Sequence, residues 1–79
     1  MNTESSIDPQ AFLLFGLQHF QLTVQKVEEN KVFLLYGYEI EIEGPSLYKL
    51  TQEGLVIAPF SDVEDLCRFI AQDPVWNHG

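Results

Sequence analysis

Cysteine, basic residues and long apolar runs are all scarce in this chain. Cys67 is the only cysteine among 79 residues, which excludes a disulfide within the monomer. Lysine and arginine together number 4 against 12 aspartates and glutamates, a formal net charge of −8. Such a field repels phosphate backbones and anionic lipid, so direct binding to nucleic acid or to a membrane surface is disfavoured. A basic protein partner is compatible with it. No run approaches the roughly 18–20 apolar residues that cross a bilayer, so membrane insertion is not expected. The start, MNTESSIDPQ, has neither a basic nor an apolar segment of the signal-peptide kind. With the lone cysteine, this gives the expectation of a cytoplasmic protein in a reducing compartment.

Motifs that carry chemistry are missing as well. There is no Gly-rich phosphate loop, no H-E-x-x-H and no G-x-S-x-G. His19 and His78 have no companion at ligand spacing, so neither a zinc site nor a Cys–His nucleophilic pair is expected. Lys26, Lys31, Lys49 and Arg68 are scattered and form no basic–aromatic platform. No catalytic residue, metal ligand or cofactor site is assigned.

What is present is apolar side chains in regular patterns. Hydrophobic residues make up 46% of the chain, too many for a disordered segment of this charge. The length allows one domain, expected over residues 8–73, with a flexible tail over 1–7 and a second tail over 74–79. Asp8 is placed to cap a short helix from Pro9 to Phe15, and Gly16 reads as its stop. A strand through AFLLF is the competing reading of that apolar run.

From Phe20 the period becomes two, and it returns after Glu28-Glu29-Asn30 in KVFLLYGYEIEIEG. A three-residue loop with Asn30 left-handed pairs Val24 with Leu34, Leu22 with Tyr36 and Phe20 with Tyr38. A two-residue turn at Glu29-Asn30 pairs Val24 with Leu35 instead and sets polar against apolar. Gly44-Pro45 ends this strand, and SLYKL and LVIAPF form a second hairpin around Gly54. Pro59 has no ladder donor and marks the last strand as an edge or its end. Ser61-Asp62-Val63-Glu64 matches a capping box, and Val63, Leu66, Cys67 and Ile70 follow as one helical stripe that Pro74 closes. The expected fold is therefore α+β. A small antiparallel sheet of about four strands, in two consecutive hairpins, carries a C-terminal amphipathic helix on one face, beside a short N-terminal helix. Trp76 is free to fold back from the tail onto the core.

Two features point to function. In YEIEIE, Glu39, Glu41 and Glu43 stand about 6.5–7 Å apart on one strand face. They serve as an acidic contact for a basic partner, or simply as the solvated face of a half-buried strand. Just before them, Phe33, Leu35 and Gly37 occupy the same face, which makes the strand apolar on both sides there. Either the N-terminal helix, through Phe12 and Phe15, covers that patch, or a twin subunit or other protein does. Gly37 reads as a bulge, a close backbone approach or room for an aromatic ring. The candidate partner-binding set is thus Phe33, Leu35, Gly37, Glu39, Glu41 and Glu43. The leading reading is a small, acidic, cytosolic and non-catalytic interaction or adaptor module, able to form a homodimer. A nucleic-acid mimic that occupies a basic protein is the alternative, and an enzyme without a recognisable motif is the least favoured.

Overall fold

The computed structural model describes residues 9–77. The expected tail over 1–7, the Asp8 cap and His78 lie outside them. Helix α1 (Pro9–His19) leads into five strands, β1 (Val24–Val27), β2 (Lys31–Leu34), β3 (Tyr38–Gly44), β4 (Leu47–Gln52) and β5 (Leu55–Phe60). Helix α2 (Val63–Ala71) and a 3-10 turn over Pro74–Asn77 complete the chain. The strands form one antiparallel meander in the order β1-β2-β3-β4-β5, so β1 and β5 are its edges. The α+β class is as expected; the sheet has five strands rather than about four.

The fifth strand arises because KVFLLYGYEIEIEG is not one strand. Leu35–Gly37 is a turn, with Tyr36 at φ 65° and Gly37 at φ 82°. Across it β2 pairs with β3 as Val32–Ile40 and Phe33–Glu39. Leu22–Tyr36 and Phe20–Tyr38 therefore do not pair, and Phe20 and Leu22 lie outside β1. Gly37 is neither a bulge nor a seat for an aromatic ring. Its missing Cβ leaves room for Glu53, whose Cγ lies 2.6 Å from where that atom would be. The Glu53 N–H donates to the Gly37 carbonyl at 3.0 Å, which locks this turn to the β4–β5 turn. That second turn has positive φ at both Glu53 and Gly54, as a tight two-residue hairpin demands.

Next to the β1–β2 turn, both expected registers occur in succession. Val27 pairs with Val32 and Lys26 with Phe33, as a two-residue turn at Glu29-Asn30 requires. A bulge between Val24 and Lys26 then restores the Val24–Leu34 pair. Asn30 is not left-handed.

Helix α1 runs through Gly16 instead of stopping there. A Cβ on Gly16 would lie 2.5 Å from Val63 Cγ1 and 3.5 Å from Cys67 Sγ, so this glycine is where α1 and α2 touch. The helix ends three residues beyond it, at His19. The Leu22 N–H donates to the Leu17 carbonyl at 2.9 Å, and the Gln21 N–H to that of Gln18 at 3.0 Å. With Gln21 at φ 61°, this is a Schellman cap whose left-handed position holds glutamine. At α2, Asp62 rather than Ser61 is the N-cap, and its side chain makes no capping bond. The expected capping box is thus not formed, although Glu64 and Asp65 do sit in the first turn, where the dipole favours them.

Both helices lie on the same sheet face. Leu13 and Leu17 from α1 join Val63, Leu66, Cys67 and Ile70 from α2 against Val32, Leu34, Ile40 and Leu50. The stripe read in α2 is the buried one. Trp76 folds back edge-on to Tyr36, with ring centroids 4.8 Å apart. Beneath it the Tyr38 hydroxyl donates to Asp73 Oδ2 at 2.6 Å, and the Val75 N–H donates to Oδ1 at 3.1 Å. Among the described residues no charged or polar residue is buried as a whole.

Candidate interaction surfaces

Among the described residues the sheet's other face carries no helix, and the acidic row stands on it. Glu39 lies opposite Phe33 and Thr51, and Glu41 opposite Lys31 and Lys49. Alternation along β3 turns Ile40 and Ile42 toward the core and these glutamates away from it. Lys31 Nζ sits 3.4 Å from Glu39 Oε2, and Lys49 Nζ lies 3.1 Å from Glu41 Oε1 and 3.7 Å from Glu43 Oε2. The hydrogen bond to Glu41, and then its charge, hold the Lys49 ammonium above the ordinary lysine range. Two lysines thus answer three glutamates. The row is a laced ion-pair network, not an uninterrupted line of negative charge, and a phosphate-like ladder gains little support from it.

Phe33 shares this face, but α1 does not cover it. Phe12 and Phe15 belong to a helix on the opposite side of the sheet, so the expected internal cover is overturned. Instead Lys26 Nζ lies 5.8 Å from the centre of the Phe33 ring, a cation–π contact reached across the β1–β2 pair. Leu35 and Gly37 belong to the turn and not to the strand face. The structure therefore brings together Phe33, Glu39, Glu41 and Glu43 from the candidate set and separates Leu35 and Gly37 from them.

Two surfaces that sequence reading did not single out are more exposed. The first is the β5 edge. Leu55 is 73% and Val56 62% exposed, with Ile57 beside them at 36%. No charged residue occurs from Leu55 to Phe60. Sheet edges are normally protected by charge, proline or a bulge, because their unpaired N–H and C=O groups invite another strand. The β1 edge follows that rule, with its bulge and a Lys26–Glu28 ion pair at 3.0 Å. On β5, protection among the described residues is limited to Pro59 and a bulge at Ile57, between Val56 and Ala58. Pro59 already marked LVIAPF as an edge strand or its end, and the sheet order shows it as an edge.

The second surface is a cleft of about 420 Å³ between α1 and the start of α2. Gly16 and Val63 are among its lining residues, together with Phe12, Phe15 and Phe20. Asp62 and Glu64 line it from α2, and His19 from the end of α1. Glu64 is held by Arg68 Nη2 at 2.6 Å. Asp62 has no ion pair among the described residues: Lys26, Lys31, Lys49 and Arg68 all pair with other carboxylates.

Cys67 is fully buried under the α1–α2 contact. Burial, and secondarily the charge of Asp62, push its thiol up to about 12, which makes it a poor nucleophile at neutral pH. Among the described residues no three histidine, cysteine or acidic side chains are grouped to hold a metal ion. No described helix is long and apolar enough to cross a membrane. No protein-family model, curated protein or solved structure matches this chain.

Proposed function

We propose that this chain is a small acidic, non-catalytic protein-interaction module of the cytosol, which takes an extended segment of a partner onto β5. The exposed, uncharged β5 edge carries this reading, because strand addition draws affinity from main-chain hydrogen bonds and specificity from alternate side chains. Charge selects the kind of partner. Glu53 precedes the strand and Asp62 follows it, and neither is in an ion pair among the described residues. An apolar segment flanked by lysine or arginine complements both ends. A second copy complements them poorly: antiparallel β5–β5 pairing sets Glu53 of one chain toward Asp62 of the other. The acidic sheet face, with Glu39, Glu41 and Glu43, then serves as a rim whose charge steers a basic partner. The single cysteine, placed in the core, fits a reducing compartment.

Affinity capture from the native source, with wild type beside Leu55→Lys/Val56→Lys, tests the reading. A partner that is lost with the variant, yet retained by wild type in about 1 M salt, where exposed ion pairs are screened, is expected. A partner that ignores the variant and is released by salt contradicts it. Sedimentation over a dilution series decides the occupant. Monomers are expected, and a dimer abolished by the same variant overturns the choice of a foreign segment.

A further inference from the structure

The cleft between α1 and α2 has the ingredients of a side-chain receptor. Its lining includes Phe12, Phe15 and Phe20, with Phe15 68% exposed and His19 edge-on to Phe20 at 5.5 Å. On the α2 side stands Asp62, a carboxylate in no ion pair among the described residues, in a protein of net charge −8. Gly16 and Val63, where the two helices touch, are also part of its lining. Aromatic faces attract cations, and a guanidinium does more than an ammonium here: it stacks flat on a ring while its fork of N–H donors reaches a carboxylate. A neutral apolar side chain would use only the phenylalanines, and an anion, although the α2 N-terminus favours one, would meet the carboxylates of Asp62 and Glu64. We infer that this cleft receives an arginine side chain presented by a protein partner, with the guanidinium between the phenylalanines and Asp62. The cleft lies where β5 hands over to α2, so an arginine flanking a segment on β5 is within its neighbourhood. In that respect the inference rests on the proposed function, but the binding chemistry is testable without any partner.

The test is a titration of the isotope-labelled protein, followed by amide shifts, with the blocked peptide acetyl-Gly-Arg-Gly-amide. Its neutral counterpart carries citrulline in place of arginine. Saturable shifts at Phe12, Phe15, Gly16, Phe20 and Asp62–Glu64 are expected, with the citrulline peptide at least about threefold weaker. Asp62→Asn keeps a good N-cap residue and should lose about the same factor for arginine while leaving citrulline unchanged. Phe15→Ala, at an exposed position, should weaken the arginine peptide as well. Equal binding of the two peptides overturns the inference, as do shifts centred on Glu29 or Glu53, indifference to Asp62→Asn, or no saturable shift at all. None of these results bears on the β5 edge, which is read separately by Leu55→Lys/Val56→Lys.

Discussion

Replacing Gly16 by alanine sets two effects against each other. Alanine in a helix interior is favoured over glycine by about 1 kcal/mol, so an isolated helix gains from the change. In the folded protein the new Cβ would stand 2.5 Å from Val63 Cγ1, far inside carbon–carbon contact. Val63 cannot easily turn away, because a β-branched side chain in a helix has essentially one good rotamer. The helices must separate instead, and overpacking of this kind costs about 1–3 kcal/mol. The contact wins, and Gly16→Ala should destabilise the protein by roughly 1 kcal/mol net. The sign reverses when the obstacle is removed. Against Val63→Ala the nearest remaining atom is Cys67 Sγ at 3.5 Å, an ordinary contact, so the helix gain of about 1 kcal/mol should emerge. Urea unfolding of the four proteins closes a double-mutant cycle, and a coupling of about 2 kcal/mol is predicted. If Gly16→Ala stabilises both backgrounds equally, α1 and α2 do not meet at this glycine and the packing described above is wrong.

Other outcomes follow from the same geometry. Gln21→Gly relieves a left-handed residue at the Schellman cap and should raise stability by about 0.5–1 kcal/mol, seen as a higher melting temperature. Gly37→Ala should cost about 1–2 kcal/mol, because φ 82° disfavours a Cβ and Glu53 must move aside; a neutral result would contradict the turn geometry. Leu55→Lys should change monomer stability by no more than about 0.5 kcal/mol, since the side chain is largely outside the core. Tyr38→Phe removes the hydrogen bond that, ahead of the Val75 N–H, holds Asp73 below the ordinary carboxylate range. A depressed carboxylate stabilises the fold above the unfolded value near pH 4 and ceases to as pH falls through the folded one. The deficit of Tyr38→Phe in urea unfolding should therefore be full at neutral pH and shrink in acid. Cys67 should react with a thiol reagent only as fast as the protein opens, because its side chain is fully buried; rapid modification of the native state would show the core to be looser than described.

Helix α2 was legible because its stripe combines a 3.6-residue period with a proline stop, and both Pro59 and Gly54 marked real punctuation. The turn at Leu35–Gly37 was not, and the reason is parity. Phe33 pairs with Glu39 and Val32 with Ile40, so odd residues stay on the outer face and even ones on the core face across the turn. Alternation continues as though no turn existed, and a period-two pattern cannot reveal it. Gly16 failed for a different reason. A helix-stop glycine and a helix-contact glycine look alike until the partner helix is known, and that partner lies far along the chain. The candidate set met the same difficulty. Glu39, Glu41 and Glu43 were correctly assigned to one face, but their lysine partners come from neighbouring strands. Pro59 marked β5 as an edge or its end, but the exposure of Leu55 and Val56 and the cleft depend on which elements end up without a neighbour, a property of the assembled sheet.

The central claim is that β5 is the docking edge, and amide hydrogen exchange on the complex with the captured partner tests it most directly. Slowed exchange across Leu55–Phe60 on binding, with β1 unchanged, is predicted. Protection confined to β2 and β3, with β5 exchanging as in the free protein, would contradict it and return the contact to the acidic sheet face.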